Sequence, residues 1–204
     1  RTQVLLAVSP SCRGELEAMG VGGGRIASVN ADNVAVSHTK LPIANSTWVE
    51  VDVTTAVNDA IAAGDLKAEI ALVLSDIPDA YILERAARAG LPAGLINCRD
   101  FKSKFPEEAQ QETAKALRQS GVELICLAGF MRLLSAPLLH AFAGRIINIH
   151  PSLLPSFPGL RAWAQAVEAG ASKSGCTVHY VDAGMDTGPI ISQAMVPVLP
   201  DDTP

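Results

Sequence analysis

The sequence predicts an α/β protein built on a mainly parallel, twisted sheet with helices on both faces, and three observations support this. From Trp48 onward, strand-like and helix-like patterns alternate along the chain. Some strand-like runs are almost uninterruptedly apolar, as in Glu69-Ile70-Ala71-Leu72-Val73-Leu74, which suits strands covered on both sides. The intervening helical segments are long enough to serve as the crossovers that parallel strands require.

Trp48-Val49-Glu50-Val51-Asp52-Val53 has period two, and Val57, Ala60 and Ile61 then fall at helical spacing over 54–63, with Thr54 or Thr55 as N-cap. The apolar strand 69–74 follows. A helix over 79–89 carries Ile82, Ala86 and Ala89 on one face and stops at Gly90. Leu95-Ile96 predicts a short strand. Pro106 opens a polar helix through Ser120, with Glu107 and Glu108 placed to suit the helix dipole. Beyond it come a strand over 122–127, a short helix over 137–143, a strand over 145–149, a helix over 163–169, and strands over 177–181 and 189–198.

The first forty-five residues read differently. Val4-Leu5-Leu6-Ala7-Val8 suits a strand, but 20–24 and 30–46 show no sustained period. We therefore expect an irregular N-terminal extension over 1–45 and a second unit over 46–204. The glycines of 20–24 follow a helix-like rather than a strand-like segment, so they read as a loop and not as a phosphate cradle.

Charge and composition exclude several functions. With 16 basic and 21 acidic residues the chain carries a net −5, which gives no electrostatic footprint for nucleic acid. No apolar run is long enough to span a membrane, and the start shows no signal-peptide pattern. Cys12, Cys98, Cys126 and Cys176 are scattered, without Cys-x-x-Cys or a zinc-like histidine spacing. They read as reduced, mostly buried thiols of a cytosolic protein, and no metal is expected.

Chemistry concentrates in two segments. Asn148-Ile149-His150-Pro151-Ser152-Leu153-Leu154-Pro155 follows a short apolar run, and Asp186 lies within Asp182-Ala183-Gly184-Met185-Asp186-Thr187-Gly188-Pro189. An amide donor, an imidazole and a carboxylate can together stabilise an oxyanion and move a proton. Such a set at the end of a strand stands where open α/β sheets bind ligands. Pro151, Pro155 and Pro158 stiffen the loop that carries it.

Three strings, AGFMRLLS (128–135), NIHPSLLP (148–155) and GCTVHYVDAGMDTGPII (175–191), resemble the phosphoribosylglycinamide formyltransferase family. The likeness runs from about Thr54 to the chain end with motif order intact. Two related families fit less well. Methionyl-tRNA formyltransferases would follow SLLP with an Arg-Gly-Ala-Ala-Pro-like loop where Ser156-Phe157-Pro158-Gly159-Leu160 stands, and formyltetrahydrofolate deformylases would show His-His-Ser-Phe in place of His150-Pro151-Ser152-Leu153. Val4 to Ile26 also resembles the end of the aminoimidazole ribonucleotide synthetase domain that precedes this domain in the fused animal purine enzyme.

The resemblance implies a Rossmann-like fold, a cytoplasmic location, a possible place in a larger multifunctional chain, and formyl transfer from 10-formyltetrahydrofolate to the amine of glycinamide ribonucleotide. It assigns Asn148 to the oxyanion. His150 would donate to the same oxygen, while Asp186 keeps the imidazole charged or positions a proton-carrying water. The folate would be framed by Leu127, Met131, Arg132, Leu133, Leu134, Leu139 and Ile146, with backbone from Val181 and Asp182 onward. The acceptor would meet Met131, Asn148, Ile149 and Pro151. Arg132, flanked by apolar residues, needs a partner for its charge, and the folate's acidic tail is one. His179 alternates with Val178 and Tyr180, so it is either a structural histidine or one beside the site; His38 and His140 are given no role.

The sequence departs from the family in several places. Val51-Asp52-Val53-Thr54-Thr55 replaces the glycine-rich turn that would hold the ribonucleotide phosphate, which should weaken the grip on the acceptor. Arg161-Ala162-Trp163 stands where Asn/His-x-His is usual, the chain begins at Arg1, and it ends at Pro204, ahead of the family's last helix. Two alternatives therefore stay open: a hydrolase of 10-formyltetrahydrofolate, and an inactive folate-binding domain of a larger polypeptide.

Overall fold

The computed structural model describes residues 2–8, 24–30, 33–38, 61–63, 68–98, 104–199 and 202. Nine strands are present among them: β1 (Thr2–Val8), β2 (Gly24–Asn30), β3 (Asn33–His38), β4 (Ala68–Ser75), β5 (Ala93–Leu95), β6 (Leu124–Ala128), β7 (Ile146–His150), β8 (Lys173–Tyr180) and β9 (Ile190–Pro197). The helices are α1 (Tyr81–Arg88), α2 (Glu107–Gln119), α3 (Ala136–Ala141) and α4 (Ala162–Glu168). Seven strands form one sheet in the order β5-β4-β1-β6-β7-β8-β9, and β2 and β3 pair as a separate antiparallel hairpin. From β5 to β7 every pairing is parallel, whereas β8 and β9 run antiparallel.

Local chemistry accounts for the helices. α1 buries Ile82 and Ala86, and the chain leaves it through Gly90 at φ +67°, a conformation that a Cβ would oppose. α2 begins after Pro106 with Glu107 and Glu108 in its first turn and Arg118 in its last, in accord with the dipole at both ends. Its inner face is Ala109, Gln110, Thr113, Ala114 and Leu117.

Two apolar clusters lie on opposite faces of the sheet. In β6, Ile125 and Leu127 join the cluster formed with α2 and α3, while Cys126 packs against the one formed with α1. That alternation is the period-two geometry of a strand. Phe142 and Leu117 are the largest fully buried side chains of the first cluster, and burial of such a group stabilises by about 1.5–3 kcal/mol. Burial pushes the Cys126 thiol up to about 12. It also raises Cys98, where the Arg132 guanidinium works against it and Asp76 with it, and Cys176, where a hydrogen bond with the Ala194 backbone opposes it. All three therefore stay as neutral thiols near neutral pH.

The first forty-five residues need a correction. β1 lies inside the large sheet, hydrogen-bonded to β4 on one side and β6 on the other, and β2 pairs with β3, which falls in the stretch 30–46 that shows no sustained period. A short run of strand-forming residues such as 4–8 satisfies its backbone groups most fully between two neighbours. The expected strand 48–53, the expected glycine-rich loop 20–23 and the phosphate-turn position 51–55 lie outside the described residues. Of the helix expected over 54–63, residues 61–63 are described and are helical.

Candidate active site

Ile146, Asn148 and His150 alternate along β7 and so share one face. Ile146 belongs to the apolar cluster under α2 and α3, and the same stripe becomes polar two residues further on. β7 pairs antiparallel with β8, which sets Asn148 directly opposite His179. The two side chains meet across the strands: Asn148 Nδ2 donates to His179 Nε2 at 3.2 Å. His179 Nδ1–H in turn donates to Tyr180 O at 2.9 Å, which leaves Nε2 as the acceptor and fixes the Asn148 amide with its nitrogen toward the ring. The second hydrogen of that nitrogen remains for a ligand.

Asp186 completes the group. Its Oδ2 lies 3.4 Å from His150 Nδ1, its Oδ1 lies 3.7 Å from His179 Nε2, and Gly159 N–H donates to Oδ2 at 2.8 Å. His150 is 5% exposed, and its Nε2–H donates to Phe157 O at 2.9 Å. Both nitrogens of this imidazole therefore face oxygen atoms, Phe157 O through a hydrogen bond and Asp186 Oδ2 at the longer distance. Asp186 sits at φ +57°, held there by its turn. Asp182 Oδ1 accepts from Gly184 N at 3.0 Å and from Thr187 Oγ1 at 2.8 Å, and Tyr180 N–H donates to Pro189 O at 2.9 Å. Gly188 permits this closure, since a Cβ there would stand 1.8 Å from Tyr180 O. Asp182→Ala should consequently loosen Asp186 and lower kcat about tenfold, on the scale of one misplaced charged hydrogen bond. Steady-state kinetics check this; a kcat within twofold of wild type would detach the turn from the chemistry.

The loop after β7 is held by a buried polar network. Thr177 Oγ1, fully buried, donates to Ser152 O at 2.6 Å and accepts from Leu154 N at 3.0 Å and Gln193 Nε2 at 2.9 Å. Ser152 Oγ lies 2.6 Å from Ser156 O and 3.1 Å from Phe157 O, the acceptor it shares with His150. The loop therefore positions the imidazole as well as carrying it.

The other residues singled out from sequence are distributed around this group. Leu127 and Ile146 lie in the core, with Leu134, Leu139 and Val181 packed on it half-buried. Met131 is half-buried, Leu133 is 65% exposed, and Asp182 is exposed on its turn. Ile149, half-buried between Asn148 and His150 on β7, offers its backbone to the face that carries them and its side chain to the other. Pro151 is buried beside His150. Arg132 finds its partner inside the protein. Its Nε donates to Asp76 Oδ2 at 2.6 Å, with both side chains 7% exposed, and its Nη1 donates to Lys104 O at 2.6 Å. The charge that seemed to need a ligand's acid is thus already neutralised. Among the described residues no cluster of three or more His, Cys, Asp or Glu could hold a metal ion, and no helix is long and apolar enough to cross a membrane.

Sequence reasoning left His179 undecided, and only the β7–β8 register settles its place. Phe157 O and Gly159 N–H carry no residue-specific signal and were not expected.

The chain is similar to known proteins over most of its length. The family model described as formyl transferase matches residues 47–204. A trifunctional purine biosynthetic protein adenosine-3 of Drosophila pseudoobscura pseudoobscura is 54% identical over 149 residues, 72% of this chain and 11% of that protein. The phosphoribosylglycinamide formyltransferase of Bacillus subtilis is 48% identical over 136 residues, 67% of this chain and 69% of its own length. The crystal structure of glycinamide ribonucleotide transformylase 1 from Symbiobacterium toebii superposes with a TM-score of 0.72 at 39% identity, over 99% of this chain and 76% of that one. The chain belongs to the formyl transferase family.

Proposed function

We propose that this chain transfers the formyl group of 10-formyltetrahydrofolate to the amine of glycinamide ribonucleotide. The observation that carries this reading is the convergence of Asn148 and His150 of β7 and His179 of β8 with Asp186 of the turn that follows β8. In this reading the substrate amine attacks the formyl carbon, a C–N bond forms, and the carbonyl oxygen becomes an oxyanion. The free hydrogen of Asn148 Nδ2 and an N–H of His150 donate to that oxygen. For the latter, Nε2–H leaves Phe157 O for the oxyanion. The bond from the formyl carbon to the folate nitrogen then breaks, and the proton released by the amine reaches that nitrogen through a water on Asp186. The substrate is itself the nucleophile, so no serine or cysteine is required, and the neutral thiols are consistent with that.

The donor would lie along the 128–135 loop, with Met131, Leu133 and Leu134 as its apolar contacts, Leu127, Leu139 and Ile146 as the floor beneath, and backbone of Val181 and Asp182 at the far side. Met131, Asn148, Ile149 through its backbone, and Pro151 would border the acceptor. The reading includes a cytoplasmic location and, from the relatives named trifunctional, a place for this unit in a longer multifunctional chain. The test is to supply both substrates and follow products. Formylated glycinamide ribonucleotide and tetrahydrofolate should appear in equal amounts, with no tetrahydrofolate formed when the acceptor is omitted. Release of formate in place of the formylated product would overturn the proposal in favour of hydrolysis.

A further inference from the structure

We propose that Gln110 is a positioning residue for the formyl donor, holding the 128–135 loop in its binding shape; this rests on the donor reading above. Gln110 lies on the inner face of α2 among Ala109, Thr113, Ala114 and Leu117 and is 1% exposed. A buried amide costs free energy unless its groups are paired, and here they are. Ser135 N–H donates to Oε1 at 2.8 Å, while Nε2 donates to Ser135 Oγ at 2.8 Å and to Phe105 O at 2.8 Å. Two of these bonds bridge 25 residues of sequence to reach the end of the loop.

Ser135 occupies the N-cap of α3, where a serine hydroxyl ordinarily accepts from the first N–H groups of its own helix. It makes no such bond here. Its hydroxyl accepts from Gln110 instead, so the local capping bond is given up for a tie between α2 and the loop.

The same short segment, 104–110, anchors the rest of the loop. Lys104 O accepts from Arg132 Nη1, and Phe105 packs edge-on against Phe130 with ring centroids 5.5 Å apart. Between these anchors the loop presents Leu133, 65% exposed, and half-buried Met131 and Leu134. A loop fixed at Phe130, Arg132 and Ser135 has paid its ordering entropy before the donor arrives, which lowers the cost of binding.

The experiment is steady-state kinetics with the donor varied at saturating acceptor, together with calorimetric binding of a non-reactive 10-substituted folate, for wild type, Gln110→Met and Ser135→Ala. Gln110→Met should raise the donor KM and the analogue Kd together by on the order of tenfold, with acceptor KM and kcat within about threefold. Ser135→Ala, which loses only the hydroxyl, should move both constants the same way by about threefold. A fall in kcat with unchanged donor KM and Kd would mean that Gln110 merely supports folding and would overturn the proposal, as would no change in either. If Gln110→Met does not fold, Ser135→Ala and Gln110→Glu, which keeps an acceptor for Ser135 N–H, decide by the same two constants. A wild type that neither transfers formyl nor binds the folate would refute the functional reading itself, whereas an active wild type with indifferent variants refutes the role of Gln110 alone.

Discussion

His150→Ala lowers the rate of formyl transfer by on the order of a hundredfold or more and leaves donor affinity nearly unchanged, and Asn148→Ala does the same, because both side chains bear on an oxygen that gains charge only as the reaction proceeds. The structure sharpens this expectation. His150 is buried beside the Asp186 carboxylate, and its Nε2–H rests on Phe157 O, the acceptor it exchanges for the oxyanion in the proposed reaction. Asn148 is held by the tautomer of His179 and cannot turn its oxygen toward the developing oxyanion without losing that bond. The double variant should cost little more than either single one, as befits groups that act together. Single variants that retain activity within a few-fold of wild type would remove Asn148 and His150 from the chemistry.

Asp76→Ala is expected to destabilise the fold by about 3–5 kcal/mol, the range for removing one member of a buried ion pair, because the buried Arg132 guanidinium loses the carboxylate on its Nε. Asp76 Oδ1 is itself buried without a hydrogen-bond partner among the described residues, so the native pair is incompletely satisfied. Replacing both members by apolar residues, Asp76→Leu with Arg132→Met, should therefore recover much of the loss. Urea unfolding of the three variants measures this directly. A loss below about 1 kcal/mol for Asp76→Ala would show that water reaches the pair and that its burial is not what matters.

What was legible in the sequence was whatever depends on near neighbours. The apolar run 69–74 became β4, the Pro106-Glu107-Glu108 start became α2, and the segment 145–149 became β7 with an offset of one residue. Asn148, His150 and Asp186 were identified from residue type and turn chemistry, and the structure brings them together. Less legible was anything that depends on which strand lies beside which. His179 gains its meaning from the register that sets it opposite Asn148, and Arg132 finds Asp76 56 residues away. Gln110 looked like one more polar residue of a polar helix until its partner at Ser135 was known. In the first forty-five residues the pattern was too short to separate a central strand from an irregular tail, because pairing on both sides decides that and sequence does not report it.

The cross-strand arrangement of β7 and β8 also bears on how the chain avoids misfolding. Shifting β7 by one residue against β8 would turn Asn148 and His150 to the opposite face and send Ile147 and Ile149 to face Asp186. It would bury an amide and an imidazole without His179 or Phe157 O to pair with them, and would lay aliphatic groups against a carboxylate. Each of these penalties opposes the slipped register. The residues proposed to handle the formyl group thus act earlier as a proofreading device, rejecting a misaligned sheet before any substrate is met.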